Sequence, residues 1–206
     1  MAPPTTFSKL TDLELVSDHG SNSLLRTLPN IIPFLGNTLR TVYLQSLGGT
    51  SVLGTPNFVD NFRPLLQLNR LTEVRLNFQQ LDFKFTDPDL ITVAKAWPYV
   101  VEMAFAFRNL PGSPIPHLDT LGVVATHCQF LQRITVPYIL GPLADTTFEI
   151  SAPPFHPLRE IRVHAMTWDT VQNRAINSSL RRAFPNLQGA PNEPYAPRCT
   201  VHLQVY

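Results

Sequence analysis

Six times along this chain an apolar residue is followed by two variable positions, a second apolar residue, one variable position and a third apolar residue. The copies start at Leu10, Leu39, Leu71, Val100, Leu131 and Leu158, so successive starts lie 29, 32, 29, 31 and 27 residues apart. One such hexad carries no information, because any half-buried strand supplies it. Six at near-constant spacing mean that one structural unit is reused, and a period of this length restricts a chain to stacked-repeat architectures. Leu187 starts a seventh copy 29 residues after the sixth, and Gly189-Ala190-Pro191 breaks it.

The last two apolar positions of each hexad alternate with a variable one, as in a strand with one buried face. Strands are therefore expected near 13–16, 42–45, 74–77, 103–106, 134–137 and 161–164, in a single array spanning 1–206. Residues 188–206 read as an irregular end, in which the alternation from Cys199 to Tyr206 suggests a last strand. About 20 residues separate consecutive strands, enough for a helix and two corners. Asp87-Pro88-Asp89 reads as an N-cap, a proline at the first helical position and an acid in the first turn, opening a helix from Leu90 to Ala96 that Pro98 closes. Thr167 is the expected cap of a second helix extending to about Phe184. Phe58 to Leu68 and Leu118 to Phe130 carry weaker helix signals, and Pro29 and Pro33 predict a short or broken helix over 23–35.

Strands joined by helical crossovers run parallel, and stacking such units gives an α/β leucine-rich-repeat solenoid of about six to seven repeats. Its curved parallel sheet is expected on the concave side and its helices on the convex side. The expected central core is Leu13, Leu15, Val42, Leu44, Val74, Leu76, Met103, Phe105, Ile134, Val136, Ile161 and Val163. Twenty prolines, about twice ordinary usage, recur between these segments as corners.

The totals narrow the function classes. Sixteen basic and 15 acidic residues leave a formal net charge of +1, which gives no footprint for nucleic acid or an anionic membrane. No apolar run approaches the length of a membrane span. Two distant cysteines, Cys128 and Cys199, are too few for a secreted disulfide framework, so a cytoplasmic or nuclear compartment is expected. The six histidines show no metal-ligand spacing, and no nucleophile or phosphate-cradling motif is present. The expectation is a protein that is not an enzyme and holds no cofactor or metal. Cys128 reads as a small buried hydrophobe.

A solenoid binds through the variable positions that flank its buried strand residues. Those are Glu14, Tyr43, Gln45, Arg75, Asn77, Arg162 and His164, with Arg40, Glu73, Arg133 and Glu160 at the strand edges. Ala104, Ala106, Thr135 and Pro137 hold the equivalent outward places in the fourth and fifth strands. This small, apolar stretch would either receive a bulky side chain from a partner or lie under a loop such as Asn109 to His117. Charge reversal at Arg75 and Arg162 is expected to abolish partner capture without moving the thermal transition.

Two phrases directly precede hexads: Ala96-Trp97-Pro98-Tyr99-Val100 and His127-Cys128-Gln129-Phe130-Leu131. They resemble the cysteine-containing leucine-rich repeats of F-box proteins. Phe62-Arg63-Pro64-Leu65-Leu66 and Ala94-Lys95-Ala96-Trp97-Pro98 are similar to the divergent repeat region of fungal F-box proteins, over most of residues 7–187. That resemblance implies a substrate receptor of a cullin-type ubiquitin ligase, with the repeats capturing the target and a separate F-box docking on Skp1. The first hexad begins at Leu10, so Skp1 is expected as a partner only if an F-box lies upstream of this chain. A repeat scaffold or inhibitor unrelated to ubiquitin is the second reading. The third is an α/β enzyme whose repeats are over-read, which predicts irregular strand order and a deep polar pocket.

Overall fold

A computed structural model describes residues 9–18, 21–35, 37–47, 57–141, 149–166 and 170–188. They form one six-stranded, all-parallel sheet whose strand order equals chain order, β1-β2-β3-β4-β5-β6. The strands are β1 (Asp12–Ser17), β2 (Thr41–Ser46), β3 (Glu73–Phe83), β4 (Glu102–Asn109), β5 (Arg133–Ile139) and β6 (Glu160–Met166). Each contains the strand expected from its hexad. Strictly sequential order means that every connection steps one strand further in the same direction. Crossovers of one hand then all fall on one face of the sheet.

The helices between strands are α1 (Ser21–Ile31), α2 (Phe58–Phe62), α3 (Asp87–Ala96) and α4 (Thr120–His127), and α5 (Thr170–Ala183) follows β6. Their apolar residues, such as Leu28, Phe62, Val93, Val124 and Leu180, join one core with Val42, Leu44, Val74, Leu76, Met103, Phe105, Ile134, Val136, Ile161 and Val163. Leu13 and Leu15 differ from expectation: they are half-buried, because β1 ends the sheet and has a strand on one side only.

Three elements depart from the sequence reading. The helix over 23–35 is not short: α1 runs for 11 residues through Pro29, then tightens into a 3-10 turn at Ile32–Phe34. Burial of Leu24, Leu25, Leu28 and Ile32 along one face outweighs the hydrogen bond that Pro29 removes. The cap of α3 is Thr86 rather than Asp87, with Asp89 Oδ2 accepting from the Thr86 amide at 2.8 Å and its hydroxyl at 2.6 Å. β3 extends to Phe83 through a register shift between Phe78 and Asp82, which returns Leu81 and Phe83 to the core side. The expected cap Thr167 and last strand 199–206 lie outside the described residues.

Two hydrogen-bond series tie each unit to the next. At the foot of the strands one carbonyl accepts two successive amides from the following unit: Thr11 from Arg40 and Thr41, Arg40 from Thr72 and Glu73, Thr72 from Val101 and Glu102. Val101 and Gln132 repeat the step, and Arg159 accepts the Gln188 amide at 2.9 Å, so the series continues past β6 to the seventh hexad. Beneath the strands, side chains of several successive units donate to the backbone of the one before. Trp97 Nε1 donates to Leu65 O (3.2 Å), Cys128 Sγ to Ala94 O (3.4 Å) and Trp97 O (3.7 Å), and Asn186 Nδ2 to His156 O (3.2 Å). The Trp-Pro and Cys-Gln phrases thus occupy equivalent places and do equivalent work.

Cys128 is fully buried, and burial pushes its thiol up to about 12. The thiolate, which is the reactive form, is therefore absent at ordinary pH. A thiol reagent at pH 8 is expected to leave Cys128 unmodified until denaturant is added, as peptide mapping by mass spectrometry would read. Labelling of the native protein at the rate of a free thiol would contradict this packing.

Candidate functional site

The face opposite the helices is built by parity. In each strand the residues on either side of the buried pair point away from the core, and the parallel register aligns them in rows. The first row is Asp12, Thr41, Glu73, Glu102, Arg133 and Glu160. The second is Glu14, Tyr43, Arg75, Ala104, Thr135 and Arg162. The third begins Val16, Gln45, Asn77 and Ala106 and ends at His164 on β6, while Pro137 of β5, expected to face outward, is buried. All seven residues expected to bind a partner fall on this face. Glu14, Arg75, Arg162 and His164 are exposed, and Tyr43, Gln45 and Asn77 are half-buried against their neighbours.

These side chains are not independent. Arg75 Nη2 reaches Glu73 Oε1 at 2.8 Å and Glu102 Oε1 at 2.9 Å, while Arg133 bonds the other oxygen of Glu102 through Nε at 2.6 Å and through Nη2. Arg162 pairs with Glu160, and the Tyr43 hydroxyl donates to Gln45. Glu102 is the hub, with a side chain only 13% exposed between two guanidiniums. It escaped the sequence reading although it stands directly before Met103, as Glu73 stands before Val74. That position is the signal that would have found it.

The pairing overturns one expectation. A carboxylate at position 75 would face Glu73 and Glu102 together, so charge reversal cannot leave stability untouched. Neutral replacement is the cleaner probe. Between the arginines of β3 and β6, Ala104, Ala106 and Thr135 form a floor of short, half-exposed side chains. The segment from Leu110 to His117 is held by bonds to Phe83, Leu140 and Asp87, at the upper strand ends and α3. Its hydrogen bonds do not run to the floor.

One polar constellation lies elsewhere. Asp87 accepts from the His117 amide (2.7 Å) and the Thr120 hydroxyl (2.5 Å) through Oδ1 and meets His117 Nδ1 at 2.7 Å through Oδ2. Burial alone would raise this carboxyl, but the hydrogen bonds from Thr120 and His117 outweigh it and hold Asp87 below the usual carboxylate range. The hydroxyl of the group bonds the carboxylate and not the imidazole, so the trio ties α3 to the next unit and does not form a nucleophile–base pair. Asp89 is occupied at Thr86, so Asp87 and Asp89 do not work as an acid–base pair. Among the described residues no group of three or more His, Cys, Asp or Glu could hold a metal ion, and no helix is long and apolar enough to cross a membrane. Comparison of the chain with protein-family models, curated proteins and solved structures found no match.

Proposed function

We propose that the chain is a leucine-rich-repeat solenoid that captures another protein on its open, concave sheet face. The observation that carries this reading is the sequential parallel sheet, one face of which, among the described residues, carries no helix and presents aligned, solvent-accessible polar side chains. Regular strand order also favours a binding array over an enzyme, whose site needs an interruption in the winding or a deep polar pocket. Tyr43, Arg75 and Arg162 are of the residue types that dominate binding energy at interfaces, and the short floor at Ala104, Ala106 and Thr135 accommodates a partner's larger side chain between them.

Photo-crosslinking side chains placed at Tyr43 and Thr135 should each give a discrete adduct with the same partner in cell extract. The same probes at Lys95 and Gln129, on the helical side, should not. Equal adducts from both sides would sink the assignment. With the partner in hand, Arg75→Gln with Arg162→Gln is expected to weaken its binding about tenfold or more by titration calorimetry. Retained affinity would remove these arginines from the interface.

The resemblance of the Trp97-Pro98 and Cys128-Gln129 phrases to F-box repeat regions supports the narrower reading of a substrate receptor for a ubiquitin ligase. In that case the captured protein is a ligase target, and docking on Skp1 falls to an F-box outside these 206 residues. Co-purification of the full gene product with Skp1 tests this. Its failure would leave a scaffold or inhibitor that uses the same face.

A further inference from the structure

Among the buried side chains that donate backwards from unit to unit, one can change its charge between neutral pH and mild acidity. His156, 3% exposed, is delivered inward by a tight turn in which its amide donates to Pro153 O at 3.3 Å. Pro154 holds the second place of that turn. Phe155 holds the third at φ +60°, with 87% of its surface exposed. That arrangement follows type II geometry, whose third place normally goes to glycine. The turn keeps a bulky residue in a left-handed conformation while the imidazole points in.

The contacts of the ring define its tautomer. Nδ1 lies 3.2 Å from the Leu158 amide, which can only donate, so Nδ1 is an unprotonated acceptor. The single proton of the neutral ring therefore sits on Nε2, which donates to Cys128 O at the end of α4 at 2.9 Å. On the far side, Asn186 donates to the His156 carbonyl, and the Phe184 ring meets the imidazole edge-on at 5.7 Å. One residue thus joins three successive units: the end of α4, the approach to β6 and the end of α5.

We propose that His156 is an acid-sensitive latch, and that its protonation releases β6 and α5 from the rest of the array. A second proton would have to go on Nδ1, where it would meet the N–H of Leu158 head-on and cost the ring its acceptor role. Among the described residues, none in contact with the ring carries a charge that would compensate it. From α4 it faces Ala125 and Cys128, whose thiol stays protonated. From α5 and the turn after it come Phe184 and Asn186, both uncharged. The chargeable side chains next to these residues in sequence, Arg159 and His127, are exposed and half-buried. Burial lowers the histidine below its ordinary value, more than the carbonyls of Cys128 and Ala125 raise it.

The sign follows from linkage. Below about pH 6.5 the released form binds a proton that the latched form refuses, so the opening equilibrium grows by up to about tenfold per pH unit until the depressed pKa is reached. Above pH 6.5 the latch is closed and insensitive. Because β6 carries Arg162 and His164, release would withdraw that end of the open face from any partner.

Amide hydrogen exchange of the whole chain between pH 7.5 and 5, corrected for intrinsic rates, tests the proposal. Protection at Ile161 and Val163 should fall several-fold to tenfold per unit below pH 6.5, while Val42 and Val74 keep theirs. His156→Gln offers an amide donor for Cys128 O and an acceptor for the Leu158 amide without a titrating proton, and should flatten the response. Unchanged protection at β6, or the same loss in His156→Gln, would overturn the latch. If that variant fails to fold, an NMR titration of His156 in the unmodified protein decides. A pKa at or above the ordinary histidine value overturns the proposal, and a depressed one sustains it.

Discussion

Phe58→Ala is expected to destabilise the protein by about 3–5 kcal/mol, the usual range for emptying a buried phenylalanine site. Phe58 is fully buried at the start of α2, where its ring centroid lies 4.7 Å from that of Phe62, 4.9 Å from Phe85, 5.2 Å from Phe107, 5.3 Å from Phe105 and 5.9 Å from Phe83. Those rings come from α2, the long end of β3, the approach to α3 and the upper half of β4. Removing the central one leaves a void between three consecutive units that the rigid strands cannot collapse around. Domains of ordinary stability hold about 5–15 kcal/mol in total, so the variant sits near the edge of folding. Urea denaturation should show a much lower midpoint with little change in slope. Phe58→Leu should lose distinctly less, because most of the volume returns. An unmoved midpoint in the alanine variant would mean that this cluster does not hold the middle of the array together.

The second large effect is expected at Gly122, a buried residue inside α4. Glycine is the costlier residue in a helix interior, so alanine there would normally gain about 1 kcal/mol. Here a Cβ would stand 2.3 Å from Ser151 O and 3.1 Å from its carbonyl carbon, with Ile150 Cγ2 at 3.2 Å. The backbone between β5 and β6 lies directly on the helix at this point and has no flexible side chain to move aside. Overpacking of this kind costs about 1–3 kcal/mol, enough to reverse the propensity gain and leave a net loss. Gly122→Ala should therefore lower the melting temperature, whereas Thr126→Ala, one turn on and exposed, should hardly move it. A stabilised Gly122→Ala would show that the 149–152 segment does not rest on α4.

Much of this architecture was legible in the chain because it is local and repeated. Alternation within each hexad defines which side chains enter the core, and a slip of one residue would turn all of them outward. Six copies leave no doubt about the phase. The open face follows by the same parity, so Glu14, Tyr43, Gln45, Arg75, Asn77, Arg162 and His164 could be placed on one surface before any coordinates. Sequence spacing could not show how that surface pairs its charges. Glu102 becomes a hub only because the register sets Arg75 and Arg133 on either side of it, and those residues lie 27 and 31 positions away along the chain.

Other features had no local signature at all. The seven-phenylalanine cluster depends on a register shift in β3 that resets which residues face inward. Asp87 looked like a helix cap, the commonest use of an aspartate before proline, yet Thr86 takes that place and Asp87 reaches forward about 30 residues to His117. His156 in a proline-rich connection looked like any loop residue, and only the fold brings Cys128 O and the Leu158 amide to its two nitrogens. By itself the sequence determined the repeating unit, the phase of its strands and the face they leave open, because those depend on period and side-chain alternation. Tertiary structure alone decided which charges neutralise one another, where the rings gather and which buried groups join one unit to the next. Such contacts form between units some 30 residues apart, where the chain records only that each partner exists.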